Sequence, residues 1–263
     1  MDFDTQDLLQ QLLPVLHKAN QMAVDLRTQG LTVVRKRDGS LTTNADWEIE
    51  QAITQQLRVI TPGTAVVGEE ALSDGSSDEA SDVYWLIDPI DGTSGYVTGS
   101  DEYAISVGLI MEGYPVFGVL ATPSDGQVFA GDSINKWALQ CAKDGQRKPI
   151  SAKTTRSHTP TVLHSSSERA SFVADLVPAN SNFVSMGSAV KFALVSQGAA
   201  DLYVRKGSLS DYDIAGGHAL ALAAGCTVTN HSGKPLTYPA VGGYQPGFVV
   251  SAPSVWLTST NSA

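Results

Sequence analysis

Residues 83–93 read Val83-Tyr84-Trp85-Leu86-Ile87-Asp88-Pro89-Ile90-Asp91-Gly92-Thr93, an apolar run that ends in two carboxylates three positions apart and then Gly-Thr. The β-prone segment 83–87 predicts a strand, and the ring of Pro89 restrains the link between the two acids. A strand end that releases Asp88, Ile90 and Asp91 into a tight turn aims two carboxylates and one carbonyl at a common point. Hard oxygen donors of that kind suit Mg²⁺. A helix beginning after Asp91 would leave the amides of Gly92, Thr93 and Ser94 free to hold a phosphate oxygen. A plainer reading makes Asp-Pro and Asp-Gly ordinary turn dipeptides and Asp91 a helix cap.

Working outward, two further acidic features bear on that choice. Val66-Val67-Gly68-Glu69-Glu70 sets a carboxylate pair directly after a short strand at 65–68. Far downstream, Ser210-Asp211-Tyr212-Asp213-Ile214-Ala215-Gly216-Gly217 leads into a helix of small residues able to pack close to a neighbour. Helix capping by Asp211 or Asp213 is the structural alternative there.

The rest of the chain supplies a frame. A helical stripe from Leu8 to Leu26 predicts a helix over 5–29, with a bend at Pro14, and Ile49, Ala52, Ile53 and Leu57 predict a second over 45–58. The acidic, Ser-rich segment from Ser73 to Asp82 reads as a solvated loop. Runs at 103–111 and 114–121 around Glu112-Gly113 predict a hairpin, followed by a strand at 127–130. From about residue 150 the pattern changes to strand 160–164, a helix after Ser167, helix 187–197, strand 199–204, helix 213–225 and strands near 226–229 and 247–251. The expectation is an N-terminal α+β domain at 1–150, carrying most of the acidic residues, packed on a C-terminal α/β domain at 151–263.

Composition bounds the function. In 263 residues, apolar side chains make up 42% and charged ones 17%, a globular balance. A net charge of −10 argues against a nucleic-acid polymer or an anionic membrane as partner, since both demand a basic footprint. Cys141 and Cys226 are too few for a disulfide scaffold or a zinc site and read as buried thiols. With no signal peptide pattern and no apolar run of spanning length, a cytoplasmic protein acting on a small phosphorylated metabolite is expected.

The acidic features in this order, with Leu41-Thr42-Thr43-Asn44-Ala45-Asp46 upstream, resemble the lithium-sensitive, magnesium-dependent phosphomonoesterase superfamily that includes inositol monophosphatase and the bisphosphate nucleotidases. The resemblance covers roughly residues 31–251. Gly187-Ser188-Ala189-Val190-Lys191-Phe192, Ala200-Asp201-Leu202-Tyr203 and Gly217-His218-Ala219, followed by Gly233-Lys234-Pro235-Leu236, are most similar to the bacterial 3′(2′),5′-bisphosphate nucleotidase branch. The resemblance implies a mixed α+β and α/β fold, a layered α/β/α/β/α sandwich of the inositol monophosphatase and fructose-1,6-bisphosphatase type. It implies two to three Mg²⁺ ions per site. Glu69, Asp88 and the Ile90 carbonyl would hold one, Asp88, Asp91 and Asp213 a second, and Glu69 would help with a weaker third. Asp46 and Thr93 would polarise the attacking water. The expected activity is removal of the 3′-phosphate of adenosine 3′,5′-bisphosphate, and related enzymes occur as monomers or homodimers.

Departures from the family pattern cluster where substrate identity is read. Tyr212-Asp213-Ile214-Ala215-Gly216 stands where Trp-Asp-x-Ala-Ala is usual, Ser94-Gly95-Tyr96 replaces a lysine-bearing segment, and His164-Ser165-Ser166-Ser167 replaces Ser-Arg-Ser-His. Ser166, Ser188, Lys191 and Arg205 remain as candidate nucleotide contacts, and an inositol phosphate or sugar bisphosphate remains an alternative substrate. His218 is expected to be structural, and Trp47, Trp85 and Trp137 to lie in the core. Ser188-Ala189-Val190-Lys191 also matches the Ser-x-x-Lys spacing of acyl hydrolases, and a non-catalytic regulator on the same fold is a further reading.

Overall fold

A computed structural model describes residues 3–79, 82–238 and 243–255. The N-terminal part runs α1 (Thr5–Gln29), β1 (Val33–Arg35), β2 (Leu41–Thr43), α2 (Asn44–Ile60), β3 (Ala65–Gly68), α3 (Glu69–Asp74), β4 (Val83–Asp91), α4 (Thr93–Val97), β5 (Ala104–Met111), β6 (Tyr114–Thr122), β7 (Gln127–Asp132), β8 (Trp137–Cys141) and β9 (Arg147–Pro149). The remainder runs β10 (Thr161–Ser165), α5 (Ala170–Val173), β11 (Asn182–Met186), α6 (Val190–Ser196), β12 (Leu202–Arg205), β13 (Leu209–Ser210), α7 (Asp211–Ala223), β14 (Thr227–Thr229), β15 (Tyr244–Gln245) and β16 (Phe248–Ser251). Strands β3 to β9 form a seven-stranded sheet in chain order, and a five-stranded sheet has the order β11-β10-β12-β16-β14.

The layering follows from which faces are apolar. On β4, Trp85 and Ile87 join the core under α1 and α2, while Tyr84 and Leu86 point into the core between the two sheets. Burial on both faces is why this strand reads as an unbroken apolar run. Helix α7 lies between the sheets against β5, β6 and β7, and a third small cluster with Val162, Val173 and Leu202 covers the outer face of the five-stranded sheet. The order is helix, sheet, helix, sheet, helix, the sandwich anticipated from the resemblance.

The middle helix fits because it has almost no side chain where it crosses the sheet. A Cβ on Gly216 would meet the carbonyl oxygens of Val119 at 2.6 Å and Val107 at 2.8 Å, and one on Gly108 of β5 would meet Ala215 Cβ at 2.6 Å. On the other side, a Cβ on Gly217 would run into the Phe192 ring of α6. Fixed backbone on one flank and an aromatic ring on the other leave room for glycine alone.

Several expectations need correction. The strand does not end at Ile87 but continues to Asp91, with a register break: Asp88 pairs with Ser106 and Asp91 with Ala104, so β4 carries one extra residue. A bulge of this kind re-aims side chains without ending the strand, and Pro89, which has no N–H to give, sits inside it. Helix α1 runs on through Pro14. The acidic segment is not simply solvated, since α3 extends to Asp74 and Asp78 accepts from the Val66 amide at 3.0 Å and pairs with Arg58 at 2.9 Å. Residues 80 and 81 of that segment lie outside the described part. Trp47 is 41% exposed rather than core, because it shares α2 with Asp46 and Ile49 but faces away from both. Strands β8, β9 and β11 were not anticipated; β9 and β11 carry exposed residues and lack the apolar run that marks a buried strand.

Candidate active site

Four elements deliver the acidic residues to one end of the seven-stranded sheet. The bulge of β4 presents Asp88 and Asp91, and the first turn of α7 presents Asp213. One carboxylate oxygen from each of these three lies within 4.8 Å of the others. The start of α3 supplies Glu69, which stands outside that triad: its Oε1 accepts from Lys36 Nζ at 2.8 Å, and Lys36 reaches Glu70 Oε1 at 2.9 Å as well. The start of α2 supplies Asp46.

Asp46 and Asp213 are placed by the same local device. Each is the third helical residue of a capping box, so that the Thr43 amide donates to Asp46 Oδ2 at 2.8 Å and the Ser210 amide donates to Asp213 Oδ2 at 3.0 Å. The helix start consumes one oxygen and fixes the rotamer, leaving the other oxygen for the site. Capping and chemistry, alternatives in the sequence, are both open to one carboxylate. The free Asp46 Oδ1 lies 3.3 Å from Thr93 Oγ1, whose hydroxyl also reaches the Ile90 carbonyl at 2.9 Å. Ile90 in turn donates its amide to Asp88 Oδ1 at 3.0 Å.

Burial, followed by Glu69, Asp91 and Asp213, raises the Asp88 carboxyl well above the usual range. Asp213 is raised by burial, then by Asp91 and Glu69. Burial also raises Asp91, against the pull of Lys191 and the Ala189 amide. Asp46 is pushed up to about 6 by burial, which outweighs its bonds from Thr43. A buried group of like charges is tolerated only when protons or a cation neutralise it. Three carboxylates and a carbonyl are hard donors that fit a Mg²⁺ ion.

Beyond Asp91 a cavity of about 230 Å³ opens, lined among others by Gly92, Ser94, Glu102, Ser166, Ser188, Lys191 and Arg205. The turn Gly187-Ser188-Ala189 lines it through its first two residues, and Ser188 there has φ +50°. Carboxylates hold that turn by its amides: Gly187 donates to Glu102 Oε2 at 2.7 Å, and Ala189 donates to Asp91. Lys191 holds it by its carbonyls, donating to Met186 at 3.0 Å and to Ser188. The lysine is almost fully buried, with its ammonium 4.9 Å from the Tyr203 ring centre, and burial, opposed by Asp91, lowers it to about 8. It is therefore not a solvated helix lysine. It donates to the Ser188 carbonyl rather than the hydroxyl, which leaves the acyl-hydrolase reading without an activated nucleophile. Arg205 donates to Ser167 Oγ at 3.0 Å, and the Ser166 amide is spent on Met186.

Lys36, Glu50 and Glu102 were missed in the sequence. Glu50 is buried, accepts the amides of Glu70 and Ala71 at 2.9 Å each, and so anchors the start of α3. Its signal was available, because Asp46 and Glu50 are four apart and share a helical face. Lys36 and Glu102 lie in a hairpin turn and a loop, where no periodicity marks them. His218 is buried, its Nδ1 3.1 Å from Tyr238 Oη, away from the acidic group.

Residues 4–259 match the inositol monophosphatase family. The 3′(2′),5′-bisphosphate nucleotidase CysQ of Escherichia coli strain K12 is 34% identical over 227 residues, covering 85% of this chain and 90% of that protein. Among solved structures, CysQ from Bacteroides thetaiotaomicron, described as a bacterial member of the inositol monophosphatase family, superposes with a TM-score of 0.76 at 25% identity, covering 94% of this chain and 98% of that one. An inositol monophosphatase from Anabaena superposes with a TM-score of 0.73 at 21% identity, covering 96% and 93%.

Proposed function

The chain belongs to the inositol monophosphatase family and is a phosphatase, and from that premise we propose that it removes the 3′-phosphate of adenosine 3′,5′-bisphosphate with the help of Mg²⁺. The observation that carries this reading is a cavity that adjoins the acidic group and is also lined by cationic side chains. Asp91 joins it to the acidic group, and Lys191 and Arg205 line it too, Lys191 near enough to Asp91 for each charge to act on the other. A substrate with one phosphate to lose beside the acidic group and a second to anchor near Arg205 matches that lining, and the nucleotidase name of the CysQ relatives supports the same choice.

Glu69, Asp88, the Ile90 carbonyl, Asp91 and Asp213 are the residues that would hold two to three Mg²⁺ ions. When bound, such ions supply Lewis acidity toward water and phosphoryl oxygens. The protein's own groups do the rest. Asp46, fixed by Thr43 and raised to about 6, accepts a proton from the attacking water that Thr93 helps to orient. The amides of Gly92, Thr93 and Ser94, at the start of α4, bind the phosphate under attack. Ser166, Ser188, Lys191 and Arg205 orient the rest of the nucleotide, Lys191 indirectly by fixing the Ser188 turn.

The test is kcat/KM for adenosine 3′,5′-bisphosphate, inositol 1-phosphate and fructose 1,6-bisphosphate with Mg²⁺, then with EDTA and with lithium. The nucleotide should be preferred, EDTA should abolish turnover and lithium should inhibit. A wide margin in favour of inositol 1-phosphate overturns the substrate, and full turnover in excess EDTA overturns the chemistry.

A further inference from the structure

A cavity meant for a bisphosphate has little use for a second carboxylate, yet Glu102 lines it beside Lys191 and Arg205. Repulsion between Glu102 and a phosphate would cost affinity unless the carboxylate has a task of its own. Glu102 makes no close ion pair with either cation among the described residues, although its charge favours protonated Lys191. Lys191 is held by the carbonyls of Met186 and Ser188, and the acidic neighbour of Arg205 is Glu168, at 3.8 Å.

The position of Glu102 is set tightly. Its amide donates to Ser100 Oγ at 3.1 Å, and its carbonyl oxygen is wedged between two glycines: a Cβ on Gly92 would come within 3.1 Å of it and one on Gly187 within 3.0 Å. Two residues on, Ala104 pairs with Asp91. Glu102 therefore borders both the Gly92 turn proposed to bind the phosphate under attack and the Gly187 turn that Lys191 fixes. Its Oε2 accepts the Gly187 amide, and that is the one hydrogen bond its carboxylate makes among the described residues. An ionised carboxylate has room for about four hydrogen bonds and can only accept.

We propose that Glu102 is a specificity-determining residue whose free oxygen accepts a hydrogen bond from the hydroxyl next to the phosphate being removed. On the nucleotide reading above, on which this rests, that group is the ribose 2′-hydroxyl. A charge-assisted bond in a part-solvated cavity gives discrimination of about 10-fold to 100-fold against a substrate lacking the hydroxyl.

The experiment compares kcat/KM for adenosine 3′,5′-bisphosphate and 2′-deoxyadenosine 3′,5′-bisphosphate in the Mg²⁺-loaded protein and in Glu102→Gln and Glu102→Ala. The wild type should prefer the ribonucleotide by at least about tenfold. Glu102→Gln, which keeps an acceptor for the Gly187 amide, should lower that ratio at least about threefold, and Glu102→Ala should bring it near one. Thermal melting checks that each variant folds; if the alanine variant does not, the glutamine variant decides. A ratio unchanged from wild type, with both substrates slowed equally, would reduce Glu102 to a support for Gly187 and overturn the proposal. A wild type silent on both nucleotides but active on inositol 1-phosphate overturns the substrate reading itself, a distinct signature.

Discussion

The ammonium of Lys36 lies 2.8 Å from Glu69 Oε1, so the hairpin of β1 and β2 carries a cation into the acidic group from outside β4 and α7. Burial works against that charge, yet Glu69 and then Glu70 hold the lysine protonated. Lys36→Met should lower the thermal stability of the metal-free protein by about 2 kcal/mol, since it leaves two carboxylates less compensated. The same loss makes the group more negative, so the rise in melting temperature on adding Mg²⁺ should be larger in the variant than in the wild type. A smaller rise would mean that Lys36 orders the site rather than competing for it.

Asp88 and Asp213 face each other across the boundary between β4 and α7. Asp88→Asn or Asp213→Asn should each cut Mg²⁺-dependent phosphate release by about 10³-fold or more, as expected when an ion that supplies the Lewis acid is lost. Both substitutions also relieve like-charge repulsion, so the metal-free variants should melt no lower than the wild type. Melting curves with and without Mg²⁺ check both halves of the expectation.

At Gly216 two effects compete. Alanine gains about 1 kcal/mol of helix propensity over glycine, whereas its methyl would press on the fixed carbonyls of Val107 and Val119. Overpacking against backbone should win, for a net loss of about 2 kcal/mol in urea unfolding. Because α7 also carries Asp213, Mg²⁺ affinity should fall with it. A stabilised variant would show that the seam can open.

His218 is buried beside Tyr238, and burial lowers it from 6.5 to about 3. Between those values the unfolded chain binds a proton that the folded chain refuses, so stability rises with pH across this window and is lost as pH falls through it. His218→Gln should flatten the acid limb of melting temperature against pH, measured from pH 7 to 4 without metal. Subtraction from the wild-type curve removes the carboxylates common to both. Parallel curves would clear His218 of any part in acid sensitivity.

Much of this could be read in the chain. Hydrophobic period alone placed α1 at residues 5–29, and Glu112-Gly113 marked the β5–β6 turn, where both residues have positive φ. The order of Glu69, Asp88, Asp91 and Asp213 pointed to one family. The bulge in β4 was marked only by Pro89, which also suits a turn; the one-residue slip itself is decided by pairing with β5. Lys36 and Glu102 were equally silent. Each is one charged residue in a connecting segment, and its meaning comes from what folds beside it.

The capping boxes and the central helix also set an order in time. Asp46, Glu69, Asp88 and Asp91 all leave the ribosome before residue 92, while Asp213 follows well over a hundred residues later, on the helix that closes the space between the sheets. A nascent chain therefore holds an incomplete acidic group for most of its synthesis. If the acidic group holds Mg²⁺ as proposed, full affinity arrives only when α7 docks, and the finished fold, not the growing chain, captures the metal.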